Sequence, residues 1–337
     1  MTARLSLQEV ADYLKSRDNY LLLSHRRPDG DTVGSCAALC LALRALGKQA
    51  WIYPNPQFTP KFAPYLETLV GRPDPRPPQN EAANREDGDR GSGCPAPVCI
   101  LSCDVASRGL FPFGMEEAEV ELAIDHHGTN DGFAARTHAD ETKAACGELL
   151  VDLLPLLGVE MTAKMAEALY VAISTDTGCF RYVNTTANTF RAAAACVAAG
   201  ANIYPINRVF FDTKRLARLR LEAHLTEHME FFAGGRVAVS AMPQSLISRL
   251  GLTEDDIDDI SGFGRTIEGV QIAVMLREVE GGMGKVSVRT DPDYNAARIC
   301  ARLGGGGHPG AAGASLPGGI PAIREAVLQS ISQELPL

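Results

Sequence analysis

The sequence predicts an α/β protein: a first domain built on a doubly wound, mainly parallel sheet, followed by a smaller α+β domain. Three observations point there. Short apolar runs alternate with helical patterns over the first half of the chain. Two of those runs are apolar almost without interruption, as strands covered on both faces must be. Roughly the last hundred residues change texture, to strand candidates around short helices. At 337 residues the chain is long enough for two domains with separate cores.

The opening MTARLSLQEVADYLKSRDNY is amphipathic and lacks the apolar centre of a signal peptide. YLLLSH at 20–25, a Cys/Ala/Leu-rich helix over 32–46 and QAWIYP at 49–54 form a βαβ pattern. VCILSCD at 98–104 and VELAIDHH at 120–127 are the two near-continuous apolar strands. Between them and the first βαβ unit, residues 71–97 are rich in Pro, Gly and charge, and are expected to form a disordered surface insertion. Helical patterns follow at 143–157, 161–175 and 186–199. The expected division is a first domain over 1–205, a linking helix over 206–230 and a second domain over 231–337. In that second part, strands are predicted at 236–242, 270–279 and 284–290, then the loop ARLGGGGHPGAAGASLP, then a helix from about Ile320.

Composition excludes some functions. Thirty-two basic residues against 41 acidic ones leave a formal charge of -9, which argues against a broad basic surface that coats duplex nucleic acid. A small anionic substrate held locally remains open. No apolar run approaches the roughly 18 residues that span a bilayer, so no membrane partner is expected and the location is expected to be cytoplasmic. Nine cysteines, odd in number, scattered and without a CxxC pair, suggest reduced thiols rather than a disulfide framework or a zinc knuckle. Cys99 and Cys103 read as core packing.

The chemistry concentrates at strand ends. SHRRPDGDTVGS, residues 24–35, leaves a strand and enters a helix, bringing His25, Asp29 and Asp31 onto one short turn. Carboxylates so close repel unless a cation neutralises them, although turn and N-cap positions favour Asp as well. Two further strands end in ligand-type residues: one at Asp104, the other at Asp125, His126 and His127. In open α/β sheets, ligands bind outside the carboxyl ends of the strands. Asp176, flanked by Thr175 and Thr177, follows an apolar helix and supplies a fourth such terminus. Four acidic or histidine-bearing termini in one domain point to a metal site.

These motifs, HRRPDGD with His25, Asp29 and Asp31, the strand-end Asp104, Asp125-His126-His127 and Thr175-Asp176-Thr177-Gly178, resemble in order the four motifs of the DHH phosphoesterase superfamily. Gly304 to Gly307 with His308, preceded by Ser287-Val288-Arg289, resemble the DHH-associated C-terminal substrate domain. The likeness spans nearly the whole chain apart from 71–97, and within the superfamily it is to the nanoRNase and 3′-phosphoadenosine-5′-phosphate phosphatase subfamily.

The resemblance implies two Mn²⁺ ions, with Mg²⁺ or Co²⁺ as substitutes: His25, Asp29 and Asp104 on one, and Asp31, Asp104, His126 and Asp176 on the other, bridged by Asp104. Asp125 would orient a histidine ring, and His127 would contact the phosphate and help protonate the leaving oxygen. A water shared by the two metals would attack phosphorus. Arg289, His308, Gly305, Gly306 and Gly307 would hold a substrate phosphate, with the active site in the cleft between the domains. The implied substrates are short single-stranded RNA, 3′-phosphoadenosine 5′-phosphate, or linear and cyclic dinucleotides, and not duplexes; a homodimer stays open. Three alternatives remain: an inorganic pyrophosphatase, which should lack the His308 loop; a single-strand exonuclease, which should carry an added domain; and a catalytically silent nucleotide-binding regulator. His224 and His228, four residues apart on a helix, lack acidic company and read as structural, as do His138 and Trp51.

Overall fold

The structure is a computed structural model that describes residues 2–71, 98–257, 259–279 and 281–336. The expected disordered insertion at 71–97 lies, but for Gly71, outside the described residues. The chain divides into two units, Met1–Thr213 and Lys214–Leu337.

Among the described residues the first unit is built on six strands: β1 (Ala3–Arg4), β2 (Tyr20–Leu23), β3 (Ala50–Ile52), β4 (Cys99–Cys103), β5 (Leu122–Asp125) and β6 (Arg136–Ala139). Every ladder is parallel and the order is β1-β6-β5-β4-β2-β3. The central strands are apolar on both sides because both sides are covered. Tyr20, Leu22, Leu101, Leu122 and Ile124 face one core, and Leu21, Leu23 and Ala123 face another. The order reverses between β2 and β4, the crevice where an open parallel sheet receives ligands.

Helices α1 (Leu7–Ser16), α2 (Gly30–Ala45), α3 (Ala63–Leu66), α4 (Cys146–Leu157), α5 (Ala163–Asp176) and α6 (Ala187–Ala198) belong to the first core. Ser6 and Glu9 form a reciprocal cap at the start of α1. Helix α2 is apolar nearly all round, with Val33, Cys36, Ala37, Leu39, Cys40 and Leu43 buried, because neighbouring helices enclose it as well as the sheet. The second face is closed among the described residues by the 105–121 and 128–134 connections, through Val105, Phe111, Val120 and Ala134, rather than by a helical layer.

The helix expected over 206–230 is divided. Helix α7 (Ile203–Asn207) runs into a π-helical turn at Arg208–Asp212, Thr213 is extended, and α8 (Leu216–Glu227) follows. The two pieces serve different cores: Phe210 packs on Phe62 and Tyr65, whereas Leu221 and Leu225 join Met242, Leu246 and Met275. The second unit therefore begins earlier than residue 231.

That unit holds strands β7 (Glu230–Phe232), β8 (Val237–Met242), β9 (Ile272–Val279), β10 (Met283–Thr290), β11 (Gly306–His308) and β12 (Ala311–Pro317), in the order β11-β12-β10-β9-β8-β7. Among the described residues only β8 and β9 pair in parallel there. Helices α9 (Gln244–Leu250) and α10 (Glu254–Ile257) contribute to the core of α8, and α11 (Ala296–Ala301) and α12 (Ile320–Ile331) pack on Val274, Leu276, Val286 and Val288.

Close helix packing in the first unit depends on Gly34. A Cβ there would lie 2.2 Å from the carbonyl oxygen of Ala168 and 3.0 Å from the Ala172 Cβ. Gly34→Ala should therefore cost about 1–3 kcal/mol through overpacking and lower the unfolding temperature by several degrees, measured by thermal denaturation. Gly262→Ala, where nothing lies within 4 Å, should leave it unchanged.

Candidate metal centre

Strand β2 ends at Leu23, and His25 lies between it and α2. Asp29 is the N-cap of α2: its Oδ1 accepts the N–H groups of Asp31 and Thr32 at 3.1 and 3.2 Å, and the same oxygen lies 3.4 Å from His25 Nε2. One carboxylate thus caps the helix and faces the imidazole. Thr32 Oγ1 accepts the His25 N–H at 3.3 Å and donates to the Cys103 carbonyl at 2.9 Å, tying the ends of β2 and β4 together.

Asp31 is fully buried and sits on the N-terminus of α4. Its Oδ2 accepts the Cys146 N–H at 2.6 Å, and its Oδ1 accepts Gly147 N–H at 3.0 Å and Ser35 Oγ at 3.1 Å. Those N–H groups have no partner within their helix, and the helix dipole favours a negative charge there.

Asp104 follows β4 in a left-handed conformation, φ 59°, which Asp tolerates better than most residues. Its N–H donates to the Ile124 carbonyl at 3.0 Å, turning the side chain inward. Asp104 Oδ1 is buried and has no hydrogen-bond partner among the described residues; it lies 3.3 Å from His126 Nε2 and 3.5 Å from His127 Nδ1. Oδ2 lies 3.8 Å from His25 Nε2.

The two histidines after β5 are aimed differently. Asp125 accepts His127 Nδ1 at 2.8 Å and the His126 and His127 N–H groups at 2.8 and 3.2 Å, while Asn130 Nδ2 donates to its other oxygen at 2.6 Å. His126 Nδ1 meets the Lys143 carbonyl at 3.2 Å. Its Nε2 then faces Asp31 Oδ2 at 3.7 Å and Asp176 Oδ2, on the last residue of α5, at 3.5 Å.

Three groups of ligand atoms result, each within 4.8 Å: His25, Asp29 and Asp104; Asp104, His126 and His127; Asp31, His126 and Asp176. The electrostatics mark the crowding. Burial and the facing Asp176 carboxylate push Asp31 up to about 7, against the pull of His126. Burial, then Asp31, Asp29 and Asp176, holds Asp104 well above the usual carboxylate range. Desolvation pulls His126 down, but Asp31 and Asp176 outweigh it and raise its pKa. In contrast, Asp125 stays below its ordinary value: burial opposes this, but hydrogen bonds from His127 and Asn130 prevail. A buried carboxylate oxygen with no donor, in a set of imidazoles and carboxylates, fits a hard or borderline divalent cation. Hydrogen bonds with Cys146 and Cys36, and burial, push the Cys103 thiol well above its ordinary value, and no cysteine belongs to the three groups.

In the second unit, Arg289 and His308 both pair with Ala311, on β10 and β11 at either side of β12, so they share a cross-strand row and one face. Gly305 and Gly307 have a steric reason to be glycine: a Cβ at Gly305 would lie 2.1 Å from the Gly313 carbonyl oxygen, and one at Gly307, φ 145°, would lie 2.6 Å from the Ala312 Cα. Gly306 is exposed with open space around it. His224 and His228 stack on each other at 4.0 Å, and His138 Nδ1 meets the Leu5 carbonyl at 2.9 Å. Thr32, Asn130 and the Lys143 carbonyl support the site without having been singled out in the sequence. Thr32, inside the turn at 24–35, and Asn130, in the polar run after His127, left side-chain signals there.

A parallel sheet delivering carboxylates and imidazoles to its switch point, followed by a mixed-sheet unit, places the chain in a class that comparison makes definite: hydrolases acting on phosphoric ester bonds. Residues 19–173 match the N-terminal domain model of the DHH family, and residues 234–335 match the DHHA1 domain. The bifunctional oligoribonuclease and PAP phosphatase NrnA of Thermus thermophilus is 34% identical over 330 residues, covering 97% of this chain and 93% of that protein. NrnA of Bacillus subtilis is 26% identical over 305 residues, 89% of this chain and 90% of that protein. The crystal structure of an exopolyphosphatase-related protein from Bacteroides fragilis superposes with a TM-score of 0.82 at 21% identity, covering 97% and 96% of the two chains. The chain belongs to the DHH family.

A carboxylate whose pKa is raised by folding binds more protons folded than unfolded, so its contribution to stability falls as pH rises from about 4 to about 7. The metal-free protein should lose unfolding temperature over that window through Asp31 and Asp104. A saturating divalent cation should restore it, raising the unfolding temperature more at pH 7 than at pH 5, where protons compete for the same oxygens. Thermal scans with and without cation check this.

Proposed function

We propose that this chain hydrolyses short single-stranded oligoribonucleotides to mononucleotides, and 3′-phosphoadenosine 5′-phosphate, with two divalent cations, natively Mn²⁺. The observation that carries the reading is Asp104: a buried carboxylate with one undonated oxygen, shared between the group of His25 and Asp29 and the group of His126 and His127. His25, Asp29 and Asp104 would hold one cation, and Asp31, Asp104, His126 and Asp176 the other. Bound there, the cations would supply Lewis acidity that brings a water's pKa toward neutrality and offsets charge developing on the phosphate.

The remaining work falls to the chain. Ser35 and the N-terminus of α4 hold Asp31. The Lys143 carbonyl fixes the ring of His126, so that Nε2 points at the carboxylates. His127 keeps Nδ1 on Asp125, which leaves its Nε2 to hold a proton for the leaving oxygen; the side chain is 42% exposed, as a group that meets substrate must be. Arg289 and His308, on one face of the second unit, would bind a substrate phosphate, with Gly306 exposing its backbone beside them.

The surplus of acidic residues supports a short substrate over a duplex. The described cysteines are all free and, apart from Cys179, buried, which supports a reducing compartment such as the cytoplasm. No helix among the described residues is long and apolar enough to cross a membrane.

Purified Mn²⁺-loaded protein should cleave a diribonucleotide and 3′-phosphoadenosine 5′-phosphate, and leave pyrophosphate intact; the reverse pattern would remove the reading. Losing a charge-assisted phosphate contact costs on the order of 1.5–3 kcal/mol. Arg289→Ala and His308→Ala should therefore each lower kcat/KM on the dinucleotide roughly ten- to a hundredfold, with full metal content and much smaller losses on bis-p-nitrophenyl phosphate. Equal losses on both substrates would mean that these residues act at the reacting phosphorus or support the fold.

A further inference from the structure

The connection after Asp104 carries an aromatic ring that the core does not use. Phe113 is 48% exposed, yet the backbone around it is fixed. Its carbonyl accepts Tyr53 Oη at 3.2 Å, and the Gly114 N–H donates to Glu116 Oε2 at 2.8 Å. Two residues earlier, Phe111 is fully buried, edge to face with Phe133 at 5.0 Å. Arg26, immediately after the candidate ligand His25, bolts this connection to the metal centre. Its N–H donates to the Leu110 carbonyl at 2.6 Å and its Nε to the Phe111 carbonyl at 3.2 Å. Its guanidinium lies over the Phe113 ring, 4.6 Å from the centroid, with Glu116 Oε1 3.8 Å from Nη2.

An exposed phenyl ring is unremarkable where its loop is free to move. Here the backbone is held, one ring face carries a cation, and the stack begins one residue from a candidate metal ligand. A planar guanidinium on one face fixes the ring and leaves it available to a second planar group. The planar group that a nucleotide substrate brings to this place is a base.

We propose that Phe113, stacked with Arg26, is the platform for one of the nucleobases flanking the reacting phosphate, an inference that rests on the oligonucleotide reading above. Every base offers a π face, so the subsite should be tolerant of base identity and sensitive to the presence of a base. The ring touches substrate without taking part in bond breaking. Its contribution should fall mainly on KM.

The test compares Mn²⁺-loaded wild type, Phe113→Leu and Phe113→Trp on a diribonucleotide and on two analogues, each lacking one base. Leucine keeps the apolar bulk without a π face, and tryptophan restores one. Wild type should lose on the order of tenfold in kcat/KM on one abasic analogue. Phe113→Leu should lose a similar factor on the intact dinucleotide, mostly in KM, and become indifferent to removal of that base; Phe113→Trp should behave as wild type. Phe113→Leu matching wild type on all three substrates, or losing equally on all three, would overturn the platform while leaving the oligonucleotide reading in place. A wild type that cleaves other phosphate esters but no dinucleotide would overturn that reading, and the platform with it.

Discussion

Mutual repulsion among Asp29, Asp31, Asp104 and Asp176 is the constraint on which the first unit turns. Four carboxylates converge where the parallel sheet reverses its order, and the burial of Asp31 and Asp104 makes their charges costly unless something positive joins them. The fold counters this cost locally. The N-terminus of α4 receives Asp31, the N-terminus of α2 is capped by Asp29, and His126 stands within 4 Å of Asp31, Asp104 and Asp176. Even so, Asp104 keeps an oxygen without a donor among the described residues. Such an arrangement fits a divalent cation better than it fits a further hydrogen-bond donor from the protein.

Much of this was legible in the sequence, because strands buried on both faces announce themselves by continuous apolar runs, and the residues just past their ends are then the candidates. YLLL, CILSC and LAID are β2, β4 and β5, and His25, Asp29, Asp31, Asp104, His126 and Asp176 do meet in space. Asp29 had two competing readings, cap and ligand-type residue. The structure shows the cap and places the same oxygen 3.4 Å from His25 Nε2, so the cap does not turn Asp29 away from the imidazole.

What stayed hidden lacked a side-chain signature. Strands β1 and β6 are short and carry Arg, Thr and His, and they exist because β5 offers an edge. Strands β11 and β12 are made largely of glycine and alanine; β12 is held by pairing to β10, and β11 by pairing to β12, rather than by propensity. The break at Thr213 follows from two cores competing for one helical pattern, which no local periodicity reports. The Lys143 carbonyl that orients His126 is a backbone atom, invisible to any residue-type argument. The glycine run before His308 read as an anion cradle; the structure adds that Gly305 and Gly307 also let β11 close on β12.

Metal content of the Asp104→Ala variant tests the shared carboxylate most directly. Wild type and variant would be saturated with Mn²⁺, freed of excess by gel filtration and measured by elemental analysis alongside their turnover of a dinucleotide. Two Mn²⁺ per wild-type chain are expected, with the variant losing metal from both positions and turnover falling to background. A variant that retains two Mn²⁺ per chain and cleaves at near wild-type rate would contradict the placement of Asp104 between the two cations.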